Sequence, residues 1–349
     1  MANNNLLNFS LEELSGLISP EKTESYRVKQ IFRWLHQKLA SDFSQMSDVG
    51  KTLRENLQHR FVISYPTIQK IQTSKDGTRK FLFRLHDGHS IEAVYIPEVK
   101  RSTVCLSSQV GCALGCTFCL TAQMGFLRNL EPYEIITQFY GIKKELKLDR
   151  ISNIVFMGMG EPLLNHKNVI RAITILTSDF GQGVASRRIT VSTAGVVKNI
   201  EPLLSETKVS LALSLNATED SLRDKIMPIN KKYPLKTLIE TLETLPMPKR
   251  RRVTIEYVLI KNVNDTLDDA KRLVRLLSRV RAKVNLIPYN ENPYISMNAP
   301  ELKRIDEFHS YLIGKNITTM IRKQRGLDIL SACGQLRVVE QDQKHKVFL

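Results

Sequence analysis

The 349-residue chain is 42% hydrophobic and 25% charged, a balance that excludes a disordered or fibrous polypeptide and leaves room for one large core with an appended module. Its 51 Lys and Arg against 35 Asp and Glu give a formal charge of +16, which favours a polyanionic partner, nucleic acid first, over a merely basic soluble enzyme. Nowhere do about 18 apolar residues run together, and no basic stretch followed by an apolar one opens the chain, so neither a membrane span nor a secretory leader is expected. Five cysteines, three of them crowded into one loop, do not make a disulfide framework. A reducing compartment would keep them as thiols, and the chain reads as cytoplasmic.

In chain order, Ser10 stands where it caps a helix carrying Leu11, Leu14, Leu17 and Ile18, and 26–39 repeats Val28, Ile31, Phe32, Trp34 and Leu35 at helical spacing. Residues 1–62 are expected to form a helical accessory module. Its Arg27, Lys29, Arg33 and Lys38 either line a nucleic-acid surface or make an ordinary solvated face. Between 68 and 96 the period falls to two, with Asp76-Gly77 and Asp87-Gly88 at hairpin turns, so 63–100 reads as a small antiparallel β extension. Glu92 lies on its last strand, where a lone acid ordinarily faces water.

From residue 101 strands and helices alternate. Strands are expected at 103–107, 151–157, 188–192, 209–215, 253–259, 283–287 and 317–321, and helices at 132–146, 167–177, 235–245, 266–280 and 300–313. Such alternation implies an α/β fold, a parallel sheet closed or part-closed into a barrel over 101–340, with a short tail at 341–349. Chemistry in such folds gathers at the carboxyl ends of the strands. Those ends carry Gly158, Gly160 and Glu161, then Ser192, then Ser214 and Asn216, then Asn290: small or hydrogen-bonding residues that together suit a small polar ligand.

The first strand runs into Gly111-Cys112-Ala113-Leu114-Gly115-Cys116-Thr117-Phe118-Cys119. A closed zinc site wants four ligands, whereas three thiolates on a cubane iron–sulfur cluster leave one iron free. Gly111 and Gly115 allow the backbone to wrap tightly. Read alone, Cys105 is either a buried apolar thiol or a fourth ligand that closes a zinc site, and Cys333 is a buried inert thiol. Basic runs at Arg187-Arg188, Lys249-Arg250-Arg251-Arg252 and Arg322-Lys323 suit phosphates.

The cysteine spacing, Phe156-Met157-Gly158-Met159-Gly160-Glu161-Pro162, Cys105-Leu106-Ser107-Ser108-Gln109, Met227-Pro228-Ile229-Asn230 and Ala332-Cys333-Gly334-Gln335-Leu336 resemble the RlmN/Cfr family of radical S-adenosylmethionine (SAM) RNA adenine methyltransferases, over nearly the whole chain. The resemblance implies a partial (β/α)6-type radical SAM barrel. It implies one [4Fe-4S] cluster on Cys112, Cys116 and Cys119, and SAM held by Gly160, Glu161, Ser192, Ser214, Leu215, Asn216 and Asn290. Two SAM would be used per methylation: Cys333 is methylated on sulfur, its methylene radical adds to C2 of adenine, and Cys105 releases the product by a transient disulfide with Cys333. Glu92 matches the family's proton acceptor. The substrates implied are 23S ribosomal RNA at the peptidyl transferase centre and transfer RNA next to the anticodon. An electron donor such as flavodoxin with its reductase, and a monomeric state, complete the expectation. Pro162 and Leu215-Asn216 favour C2 over the alternative, Cfr-like methylation of C8.

Overall fold

The computed structural model describes residues 4–18, 25–248 and 251–338. Lys249, Arg250 and the 341–349 tail lie outside them. Helix α1 (Leu11–Ile18) starts at a capping box: the Ser10 N–H donates to Glu13 Oε2 at 2.8 Å and the Glu13 N–H to Ser10 Oγ at 3.3 Å. Helix α2 (Ser25–His36) turns Val28, Ile31, Phe32 and Leu35 into the core, and α3 (Lys51–Arg60) completes the helical module. Lys29 and Arg33 do not form a free surface, because both lie over the ring of Phe180, at 5.2 and 5.0 Å from its centroid, and join the module to the barrel.

Strands β1 (Thr67–Thr73), β2 (Arg79–Arg84) and β3 (Ser90–Glu98) form the antiparallel extension, with the two Asp-Gly pairs at its turns. The extension is continuous with the barrel: β3 pairs antiparallel with β4 (Arg101–Cys105), from which the parallel sheet begins. Then follow β5 (Gln109–Gly111), α4 (Leu120–Gln123), β6 (Phe126–Asn129), α5 (Pro132–Glu145), β7 (Asn153–Phe156), α6 (His166–Thr177), β8 (Ile189–Thr193) and α7 (Ile200–Thr207). The chain continues through β9 (Ser210–Ser214), α8 (Asp220–Ile226), α9 (Leu235–Thr244), β10 (Val253–Leu259), α10 (Leu267–Leu276), β11 (Ala282–Pro288), α11 (Leu302–Gly314) and β12 (Thr319–Ile321). The large sheet has the order β1-β2-β3-β4-β7-β8-β9-β10-β11-β12, and β5 pairs with β6 apart from it. Strands β5 and β6 and helices α4, α7 and α8 are short and carry no clear period in the sequence. Helix α10 ends at Leu276, short of the 280 that its period suggests.

Alternation along the parallel strands separates two environments. Ile189, Val191, Leu211, Leu213, Ile255 and Tyr257 are buried in the main apolar core. Their neighbours Thr190, Ala212, Thr254 and Glu256, with Asn153 and Asn285, line a cavity of about 530 Å³ inside the barrel. A barrel interior filled by branched aliphatics is a packed core. This one is polar and hollow. Among the described residues β12 pairs only with β11, and the segment 322–338 beyond it lies along the cavity wall.

Candidate active site

The three-thiol loop leaves the end of β4 and folds back on itself. Gly111 adopts φ +74°, and a Cβ there would lie 1.8 Å from the Gly125 carbonyl oxygen, which accepts the Cys112 N–H at 2.8 Å. Only glycine fits that crossing. The Cys119 N–H donates to Cys116 O at 3.2 Å, and the Thr117 N–H to Ile226 O at 3.1 Å, so the loop forms a collar backed by α8. Burial is the main influence on each thiol, pushing Cys112 up to about 12 and Cys116 and Cys119 upward too; Cys116 also feels Cys119 and Cys112.

Cys105 and Cys333 lie 228 positions apart in sequence and line the same barrel cavity. Burial raises the Cys105 thiol to about 12, with Cys333 adding to the rise and Arg322 opposing it. Cys105 lines the cavity wall with Cys333, and none of the three collar cysteines is part of that wall. The Cys333 thiol is raised chiefly by burial, again against Arg322. Arg322 Nη1 sits 3.6 Å from Glu256 Oε1, which also accepts from Asn285 Nδ2 at 3.2 Å.

The Cys333 loop is fixed from four sides. Asp328 accepts from Ser74 Oγ, and the Gly326 N–H donates to Asp76 Oδ2 at 3.1 Å, tying it to the β1–β2 turn. Lys80 Nζ reaches Leu330 O at 3.2 Å. On the collar side the Leu120 N–H donates to Gly334 O at 2.8 Å and Thr121 Oγ1 to Leu336 O at 2.7 Å. Asn290 Nδ2 donates to Cys333 O at 3.0 Å, while its buried Oδ1 has no partner among the described residues.

Glu92 does not face water. It is 4% exposed, 2.9 Å from Lys80 Nζ, and accepts the Arg337 N–H at 2.9 Å. Burial pushes its carboxyl up, and Lys80 and the Arg337 N–H pull it back. Glu92 lies behind the cavity wall and is not part of the lining. The extension that carries it thus serves the site, which a strand pattern read by itself does not reveal.

At the other strand ends, Gly160 adopts φ +95° with its absent Cβ facing Gln109. Glu161, 3% exposed, accepts from the Leu163 N–H at 3.0 Å and the Ala194 N–H at 2.8 Å, clamping the ends of β7 and β8. Burial raises its carboxyl against those two N–H groups. Ser192 and Ser214 are half-buried at the ends of β8 and β9. Leu215 is buried, and Asn216, at φ +58°, accepts the Val258 N–H at 2.9 Å. Collar and strand ends meet at one end of the barrel.

Residues 4–63 match the ribosomal RNA large subunit methyltransferase N-terminal domain and residues 106–277 the radical SAM superfamily. The dual-specificity RNA methyltransferase RlmN of Geobacter sulfurreducens is 51% identical over 328 residues, covering 94% of this chain and 90% of that protein. The protein of the same name from Geotalea uraniireducens is 49% identical, with 95% of each chain covered. The chain belongs to the RlmN family of radical SAM methyltransferases. The crystal structure of a radical SAM methyltransferase from Sphaerobacter thermophilus agrees, with a TM-score of 0.90 at 41% identity over 95% of this chain and 99% of that one.

The family's cofactors are one [4Fe-4S] cluster and SAM. The residues present fit them. Cys112, buried, and Cys116 and Cys119, half-buried, share one collar, a set of three thiols that would leave one iron of a cubane open. The orphaned Oδ1 of Asn290 offers an acceptor at the same end.

The strand ends also rest on a buried frame that no motif signals. Arg223 is fully buried and donates to Leu215 O at 2.9 Å, Ala194 O at 2.8 Å, Ser214 O at 3.2 Å and Asn230 Oδ1 at 3.0 Å. It draws the ends of β8 and β9 together and lies within electrostatic reach of Cys116. Its only sequence signal is that it precedes Met227-Pro228-Ile229-Asn230 by four positions.

Proposed function

We propose that this enzyme methylates C2 of adenine in 23S ribosomal RNA, at the peptidyl transferase centre, and in transfer RNA, next to the anticodon. The observation that carries the reading is the shared cavity of Cys105 and Cys333, beside a separate three-thiol collar. The naming of the relatives as dual-specificity RNA methyltransferases supports the substrate class. C2 lies between two ring nitrogens and is electron-poor, so it does not attack a methyl donor by simple displacement.

Cys112, Cys116 and Cys119 hold the cluster, and Gly160, Glu161, Ser192, Ser214, Leu215, Asn216 and Asn290 form the SAM site. When bound, these cofactors supply a methyl electrophile and, after one-electron reduction, a carbon radical that abstracts hydrogen. Cys333 Sγ carries the methyl group and, after losing one hydrogen atom, its carbon bonds to C2. Arg322, in electrostatic contact with both carrier thiols, steadies negative charge there. Once the adduct has given up one electron, back to the oxidised cluster, and its C2 proton, Cys105 Sγ attacks Cys333 Sγ. The sulfur–carbon bond breaks with its electron pair on carbon, which takes up a proton to become the methyl group, and the two sulfurs are left as a disulfide. Glu92, whose carboxyl burial pushes up against the pull of Lys80, accepts the C2 proton once the Arg337 N–H releases it toward the lumen. A flavodoxin-type donor and its reductase supply the electron for the radical step, and a cytosolic reductant restores the two thiols, in an enzyme read as a cytoplasmic monomer.

In this reading 1–62 is the RNA-binding accessory domain, 63–100 the frame for the carrier loop and 101–340 the catalytic barrel. The test is reconstituted enzyme with SAM, reductant and unmodified 23S fragment or transfer RNA, followed by nucleoside mass spectrometry. The expected product is 2-methyladenosine. The 8-methyl isomer would move the enzyme to the Cfr-like alternative, and no methylated adenosine would overturn the proposal.

A further inference from the structure

The two ends of the barrel differ sharply in charge. The connections from helices back to the N-terminal ends of strands are 146–152, 178–188, 208–209, 245–252, 277–281 and 315–318. Among the described residues they hold ten Lys or Arg and two Asp. Those leaving the C-terminal ends, 106–131, 157–165, 194–199, 215–234, 260–266 and 289–301, hold seven Lys or Arg and eight Asp or Glu. Among the described residues none of the first ten is ion-paired. Arg251 donates to Lys208 O at 2.6 Å, Arg281 to Met247 O at 2.9 Å and Arg252 to Thr318 Oγ1 at 2.7 Å, which leaves their charge uncompensated.

Two cavities lead toward this basic end. The lumen that reaches Cys105 and Cys333 is also lined by Arg187, Arg188 and Lys283, at the starts of β8 and β11, with both arginines exposed. The three collar cysteines are not part of its wall. A groove of about 460 Å³ between the helical module and α5 is lined by Trp34, Lys38, Lys143, Lys144 and Lys147. Helices of a βα barrel run back against the strands, so the C-terminal turn of α5 comes to the same end as Arg187.

We propose that RNA lies across the N-terminal end of the barrel and the target nucleotide enters the lumen there, between Arg187 and Lys283, reaching Cys333 from the side opposite the collar. The inference rests on the RNA reading above and adds the docking face. Uncompensated cations are what phosphates neutralise, whereas the balanced C-terminal end offers no net attraction. A lumen of about 530 Å³ falls in the range of sites for small ligands, and an extruded base is such a ligand.

The experiment uses holoenzyme and unmodified transfer RNA. The double variant Lys147→Glu/Arg279→Glu reverses charge at the N-terminal end, and Lys198→Glu/Lys231→Glu does so at the other; all four side chains are exposed. Binding is measured from 50 to 200 mM salt, with iron content and thermal melting as folding controls. The first variant should weaken binding at least tenfold and lower the slope of log K against log salt by about 1–2, whereas the second stays within about twofold of wild type. A neutral pair, Lys147→Ala/Arg279→Ala, should fall between, which separates docking from misfolding. Equal losses from both ends, or unchanged binding by the first variant while wild type methylates normally, overturn the docking face alone. A wild-type holoenzyme that binds no RNA overturns the parent reading and this one with it.

Discussion

The two groups of cysteines are built in opposite ways. Cys112, Cys116 and Cys119 share one loop, and glycine geometry at Gly111 with a few backbone hydrogen bonds sets their arrangement. Cys105 and Cys333 come from the two margins of the parallel sheet, and their meeting depends on barrel curvature and on a loop anchored from four sides. The first group is local chemistry that survives small changes elsewhere. The second is a product of the whole fold, and damage far from either sulfur should reach it.

The sharpest way to separate them is Cys112→Ala beside Cys333→Ala. Both should abolish RNA methylation, but only the first should lose the cluster; Cys333→Ala should keep about four iron per chain by iron and sulfide analysis. Iron loss in Cys333→Ala would merge the two groups into one site. Next in size is alkylation of the cluster-free protein. Cys105, raised to about 12 by burial, holds about a thousandfold less thiolate at pH 7 than a thiol at the reference 9.0. Its labelling, followed by mass spectrometry of the peptide, should rise about tenfold per pH unit up to that value. A flat profile would mean that the carrier cavity is wetter than its packing shows.

Lys80→Met tests the long-range framework. It removes Lys80 from a buried pair whose side chains are 7% and 6% exposed, leaving Glu92 uncompensated, and should cost about 3 kcal/mol in urea unfolding. RNA methylation should fall while iron content holds. Smallest is Thr121→Val, which deletes the hydrogen bond to Leu336 O and should cost about 1 kcal/mol. Its methylation rate should drop more than its capacity to bind SAM; an equal drop in both would show that α4 serves the collar instead.

The same contrast explains what could be read from the sequence. The collar, the barrel class and the polar strand ends were legible because each is a short-range signal: thiol spacing, βα alternation, or a small residue where a strand stops. The parallel strand β10 is legible because it opens straight after Arg251-Arg252 and its apolar run gives way at Lys261-Asn262, just past Leu259. The Lys80–Glu92 pair was not legible, since it forms diagonally across two strands whose register opposes Leu82 to Glu92 and Lys80 to Val94. A burial state set by register is invisible until the hairpin is aligned. Arg223 escaped for a related reason: three of its four partners are backbone carbonyls, which carry no side-chain signature.

Among the described residues β12 has no second strand neighbour, which gives the barrel a stitched side. In a closed hoop, widening the lumen would break ladder hydrogen bonds throughout. Here the side-chain stitches at Asp328, Lys80 and Thr121 can be undone one at a time while β8, β9 and β10 keep their ladders. This side of the lumen is thus a panel held by single side-chain bonds, beside strands held by a continuous ladder. Amide exchange should be fastest along 322–337 and slowest in β8 to β10.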